Sequence, residues 1–359
     1  MEIVMIENLI PKKVRELEEY RPNMTPCRVR LDANESPFLP SKAVLDELAA
    51  ALYSLDFNRY PDPYARELVK AFSAIYKVNP ENVVAGNGSD ELISLIAGGL
   101  VENGDTVTVV LPDFSMYEFY STLAGAKSVK FIKSESFEID FAKLFDAVNE
   151  TKSKLVIFSN PCNPTGWVCP CADVEAFIAK TDALVVVDEA YMEFAEKSES
   201  VIALTEKYDN LIVLKTMSKA YGAAALRLGF AISGGELASA LRKIKSPYNV
   251  NTVSQVFGKI ILSHYGEIEA NVKAMRENLT YMRERIAAIE SDKIEKVCPT
   301  AANFVYVKMS SADVARDVFD ALMARGVAIR CMRGGYIRIC AGTREECDIF
   351  LSEFLEVIK

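Results

Sequence analysis

Between residues 83 and 233 the chain repeatedly gathers β-branched and apolar residues into short runs. These are "NVVAG" near 84, "TVTVVL" near 108, "SVKFI" near 130, "KLVIFS" near 156, "ALVVVD" near 185, "NLIVLK" near 213 and "LGFAIS" near 230. Most are uniformly apolar rather than alternating, and helical patterns lie between several of them. That combination predicts strands buried on both faces of a largely parallel sheet. The expected architecture is an α/β domain whose mostly parallel sheet has about seven strands flanked by helices. In such sheets ligands gather beyond the carboxyl ends of the strands.

After about residue 246 the periodicity changes. Ile268, Val272, Met275, Leu279, Met282, Ile286 and Ile289 step by four and three, the seam of one long amphipathic helix. "ANFVYVKM" then alternates as a strand, "SADVARDVFDALMARG" reads as a helix closed by Gly326, and "GVAIRCM" and "GYIRIC" read as two more strands. Thr343 and Glu346 are spaced as a capping box for a last helix. We therefore expect a smaller α/β domain over 246–359, a large domain over 41–245, and an N-terminal arm over 1–40 that packs with the smaller one.

Charge and composition narrow the function. A net charge of −9 disfavours nucleic acid and anionic membrane as partners, so any bound anion needs a local site. The start of the chain puts acids inside its apolar stretch and does not read as a secretory signal, and no apolar run is long enough to span a bilayer. The eight cysteines then read as reduced thiols in a cytoplasm. Cys169 and Cys171 flank a proline, but with scattered cysteines and the single histidine, His264, the ligand inventory argues against a metal site. His264 itself, in "LSHYGE", reads as a structural or solvated residue rather than a catalytic base.

The strand ends carry the chemistry. "AGNGSDELISLI" turns on glycines into a helix start, a seat for phosphate or equally a plain tight turn. "NPCNPTG" at 160–166 demands a rigid loop that holds the Asn163 amide still. "DEAYMEF" places Asp188 at a buried strand end, where an acid is costly unless a cation meets it, with Tyr191 three residues on. "KTMSKAY" places the amine of Lys219 after another strand, and Arg227 follows eight residues later. An acid, a phenol, an amide, an amine and an arginine beside a phosphate-type turn form the set pyridoxal phosphate requires, since its aldehyde bonds a lysine and its ring nitrogen must stay protonated.

"SNPCNPTG", "VVDEAYMEF" and "TMSKAYGAAALRLGF", in that order, resemble the fold-type-I pyridoxal-phosphate aminotransferases, specifically the histidinol-phosphate aminotransferase family. "LDANESPF", "RYPDPY", "GNGSDELI", "LPDFSMYEFY" and "YIRICAGTREE" extend the likeness over nearly the whole chain. The resemblance implies that Lys219 bonds the cofactor and then shuttles a proton, and that Asp188 pairs with the ring nitrogen. Tyr191 and Asn163 would bond the phenolic oxygen, and Phe114 would stack on the ring. It also implies a phosphate held by the backbone at Ser89 and Asp90 with Thr216, Ser218 and Arg227, and reached by Tyr60 from a second subunit of a homodimer. Arg330 and Arg338 would bind the phosphate and carboxylates of the substrates, with Tyr20 and Asn34 lining the pocket.

Blander readings stand beside these. Tyr60 and Phe114 suit packing aromatics, Asp188 suits a strand-end cap, and Arg330 and Arg338 suit surface strand charges. Three departures from the family pattern are Glu19 where a proline is usual, Ala225 where glycine is usual, and Cys162 in place of a polar residue. A threonine-phosphate decarboxylase, an aromatic or broad-range aminotransferase, and a non-catalytic protein of the same fold are the alternatives.

Overall fold

The computed structural model describes residues 9–17, 19 and 24–359. After the short β1 (Val29–Arg30) come the seven strands of the main sheet. They are β2 (Val83–Gly86), β3 (Thr106–Leu111), β4 (Lys127–Ile132), β5 (Leu155–Ser159), β6 (Leu184–Asp188), β7 (Leu211–Thr216) and β8 (Gly229–Ser233). All seven apolar runs thus form strands. Their spatial order is β2-β8-β7-β6-β5-β3-β4, and every pairing is parallel except the two made by β8.

Burial explains the uniform hydrophobicity. Val185, Val187, Val213 and Phe230 enter one core layer, whereas Val186, Ile212, Leu214 and Ala231 enter the other, so both faces of each central strand are covered. The edge strand β4 has the weakest burial and carries Lys127 and Lys130, charges that discourage pairing with another chain.

A second sheet orders β12 (Arg330–Met332), β13 (Tyr336–Cys340), β10 (Phe304–Met309) and β9 (Ile294–Val297), all antiparallel. "GVAIRCM" is not the single strand its alternation predicts. Its first half, β11 (Val327–Ala328), pairs with β1 of the N-terminal segment, and the chain changes sheets at the buried Ile329. The long helix runs Tyr265–Ala287, so Ile289 falls beyond its end. The helix Thr252–Ser263 packs on the helices Lys42–Leu52 and Arg66–Tyr76. The helix Arg344–Ile358 opens with the expected Thr343–Glu346 capping box. Among the described residues no helix is long and apolar enough to cross a membrane.

Candidate active site

Register brings the strand ends together. Gly86 lies opposite Gly229, Gly229 opposite Thr216, and Asp188 opposite Ser159, so the residues following β2, β5, β6 and β7 share one edge of the sheet.

At one end of this edge the helix Ser89–Gly99 begins. Its N-cap is Gly88 at φ +86°, with no side chain capping its first turn. A Cβ on Gly229 would sit 2.5 Å from the Ser89 nitrogen, and one on Gly88 would sit 2.6 Å from Arg227 Nη2. Glycine at these two positions is what allows strand, helix start and guanidinium to approach. Arg227 itself is left-handed at φ +51°, strained for a residue with a Cβ, and its Nη1 donates to Ser218 Oγ at 3.3 Å. Thr216 Oγ1 donates to Ser218 Oγ at 3.1 Å, and Asp90 Oδ2 lies 3.6 Å from Arg227 Nη2. Two hydroxyls, a guanidinium and an uncapped helix start therefore converge into an anion seat. The neighbouring Ala225 is exposed within the turn Ala224–Leu226, and it is Arg227, not Ala225, that takes the left-handed backbone.

Beside this seat Asp188 is fully buried, and among the described residues no cation pairs with it. Its donors are neutral: the Ala190 N–H to Oδ1 at 3.1 Å and the Tyr117 hydroxyl to Oδ2 at 2.8 Å. Burial pushes its carboxyl up to about 7, against the lowering effect of these two bonds. Tyr117 escaped the sequence reading because nothing local in "FSMYEFY" distinguishes it from a core aromatic. Phe114 packs edge-on against Tyr117, ring centroids 5.6 Å apart.

The Asn-Pro loop is held as its sequence demands. Cys162 N–H donates to Trp167 O and Gly166 N–H to Cys162 O, each at 2.7 Å, and Asn163 N–H donates to Ser159 Oγ at 3.1 Å. Ser159 in turn donates to Asp113, whose charge is met by Lys133 Nζ at 3.0 Å in a pair 0% and 1% exposed. Lys133 also donates to Cys162 Sγ at 3.0 Å, and burial pushes the Cys162 thiol up against the lowering effect of that lysine. Behind Asp188 and Lys219, Lys215 is buried between Glu189 at 3.0 Å and Glu193 at 2.9 Å, tying the "DEAYMEF" segment to β7. This staple and the Asp113–Lys133 pair were also missed; a lysine closing an apolar run is their only sequence signal.

The segment 32–34 closes the site from the other side. Lys219 Nζ, half-buried, donates to Ala33 O at 2.9 Å and lies 5.9 Å from the centroid of the Tyr191 ring. Asn34 Nδ2 donates to the Tyr191 hydroxyl oxygen at 2.9 Å, which leaves the phenol proton free to point elsewhere. Arg338 is not a surface charge: it is buried, donating to Asp32 O at 2.8 Å and to Asn163 Oδ1. Arg330 stands opposite it in the β12–β13 register. Tyr60 lies apart from this cluster, 82% exposed and stacked on Tyr248 at 4.5 Å. Tyr20 lies outside the described residues. His264 pairs with Glu47 at 2.8 Å, half-exposed at a helix junction. Among the described residues no His, Cys, Asp and Glu cluster could hold a metal, and all eight cysteines are free.

Pyridoxal phosphate offers four handles: a phosphate, a ring nitrogen that can carry a proton, a phenolic oxygen and an aldehyde. The glycine-lined anion seat, the buried Asp188 with only neutral donors, the Tyr191 hydroxyl held by Asn34 together with the Asn163 amide held by Arg338, and the Lys219 amine answer them one for one, so the residues fit this group.

Comparison with known proteins agrees with this chemistry. Residues 28–354 match the family model described as aminotransferase class I and II. Histidinol-phosphate aminotransferase from Clostridium novyi is 38% identical over 95% of this chain and 95% of its own length. The Clostridium kluyveri enzyme of the same name is 34% identical over 99% and 100%. The crystal structure of histidinol-phosphate aminotransferase from Sinorhizobium meliloti in complex with pyridoxal-5'-phosphate superposes with a TM-score of 0.89, at 27% identity and 97% coverage of both chains. With its strand ends, anion seat and lysine in this arrangement over almost its full length, the chain belongs to the class I and II aminotransferases.

Proposed function

We propose that the protein is a pyridoxal-phosphate-dependent aminotransferase that exchanges the amino group of histidinol phosphate with 2-oxoglutarate, working as a cytoplasmic homodimer. The observation that carries this reading is the convergence of Lys219, Asp188, Tyr191 and Asn163 beside the anion seat, with Arg338 donating to Asn163 itself. The relatives at 34–38% identity, named for histidinol phosphate, support the substrate.

When bound, pyridoxal phosphate supplies an aldehyde for amines and an electron-poor ring to accept the electron pair released at the substrate Cα. This chain's residues do the rest. Ser89 and Asp90 offer backbone N–H groups, and Thr216, Ser218 and Arg227 their side chains, to the phosphate. Asp188 holds a proton on the ring nitrogen. Tyr191 and Asn163 orient the phenolic oxygen, and Phe114 gives the ring an apolar face. The Lys219 amine would take and return the proton at the substrate Cα. Arg338, pre-aimed by two hydrogen bonds, and Arg330 take the substrate carboxylates and phosphate in two-pronged fashion.

Tyr53, Phe57, Tyr60 and Tyr64 are all exposed large aromatics close together in sequence. Their exposure supports a homodimer in which a second copy would cover them and Tyr60 would reach that copy's phosphate seat. Free cysteines throughout support a reducing compartment.

Incubation with histidinol phosphate and 2-oxoglutarate should yield glutamate. Absence of glutamate, or carbon dioxide released from phosphothreonine instead, would replace this reading with the decarboxylase.

A further inference from the structure

Tyr117 sits in the helix Met116–Leu123 and is completely buried in the core layer beneath the sheet edge. A phenylalanine would fill the same volume, so packing does not account for the hydroxyl. Burying that hydroxyl is costly without a partner. Its partner is Asp188 Oδ2 at 2.8 Å, and Ala190 N–H holds the other oxygen at 3.1 Å. With one donor on each oxygen, the carboxylate is fixed in rotation. Among the described residues no other hydrogen-bond donor reaches it, and Asp113 and Asp90, its charged neighbours, both oppose its ionisation. Among the described residues the Tyr117 hydroxyl is thus the side chain that most favours the charged form.

We propose that Tyr117 is a positioning residue for the transamination, its hydroxyl setting the rotation of the Asp188 carboxylate and keeping it charged so that the cofactor's ring nitrogen meets an oriented anion. The proposal rests on the functional reading above. It requires nothing of Tyr117 toward substrate: the residue acts through Asp188 alone.

The test is Tyr117→Phe, which keeps the ring and its edge contact with Phe114. In the cofactor-free protein, carbon-13 NMR of labelled aspartate, with Asp188→Asn to identify the signal, should show the Asp188 titration moved upward by a unit or more. Losing one hydrogen bond to a charged group should weaken pyridoxal phosphate binding roughly tenfold. Turnover should fall through kcat with KM little changed. An unaltered titration together with unaltered cofactor affinity would overturn the proposal.

Should Tyr117→Phe fail to fold, difluorotyrosine placed at 117 by codon suppression is a stronger donor. It should shift the titration downward and tighten cofactor binding; no shift would again overturn the proposal. A wild-type protein that binds no pyridoxal phosphate would sink the functional reading and this inference together, whereas binding by wild type that is matched by Tyr117→Phe would sink this inference alone.

Discussion

Replacing Asp188 by asparagine should make the cofactor-free protein more stable and the enzyme inactive, and the two effects have one cause. Asp188 is buried at the end of β6, with neutral donors on both oxygens and, among the described residues, no cation paired with it. Burial raises its carboxyl from 3.8 to about 7. Because the folded form holds its proton more tightly than the unfolded form, the group costs nothing below the unfolded value. Its cost grows as pH rises from about 4 to about 7, and is fully present above that. About three pH units at roughly 1.4 kcal/mol each gives about 4 kcal/mol of destabilisation at pH 8. Asparagine carries no such cost. The Tyr117 hydroxyl can turn to accept from the new amide, so the rearranged hydrogen bonds offset only about 1 kcal/mol.

Urea unfolding of cofactor-free wild type and Asp188→Asn at pH 5 and pH 8 measures this directly. The variant should be more stable by about 3 kcal/mol at pH 8, with most of that advantage gone at pH 5. With pyridoxal phosphate present the order should reverse, since the wild-type carboxylate then meets a protonated ring nitrogen. A variant no more stable than wild type at pH 8, or a difference independent of pH, would refute the reasoning.

Three further outcomes follow from the geometry. Arg338→Ala should raise KM for glutamate about a hundredfold with a smaller change in kcat, in steady-state assays, because a charge-assisted two-pronged contact is lost. Gly229→Ala would push a Cβ to 2.5 Å from the Ser89 nitrogen, so it should cost about 1–3 kcal/mol in urea unfolding and weaken cofactor binding more than substrate binding. Lys133→Met leaves the Asp113 carboxylate buried without its cation and should cost about 3–5 kcal/mol; adding Asp113→Leu should recover part of that loss in the same assay.

The strands were legible because burial on both faces forces continuous apolar runs, and even the weaker edge strand β4 kept enough of that signal. The residues grouped at the candidate site could be picked out because most stand at or just after a strand end and are types the proposed chemistry requires. What the sequence hid are pairings between distant segments. Tyr117 meets Asp188 across 71 positions, Arg338 meets Asn163 across 175, and Lys219 meets Ala33 across 186. No local periodicity encodes such contacts. Arg338 shows the difficulty most clearly: alternation in β13 permits a surface charge, and only its packing against the 32–34 segment makes it a buried one. The split of "GVAIRCM" between two sheets was hidden for the same reason, since it depends on pairing with β1, about 300 residues earlier in the chain.

The central claim is that Lys219 carries the cofactor. Reducing the pyridoxal-phosphate-loaded protein with borohydride, digesting it and locating the pyridoxyl mass by peptide sequencing decides the matter. The account expects the label on Lys219; a label on the buried Lys215 or Lys133, or no label on any lysine, would contradict it.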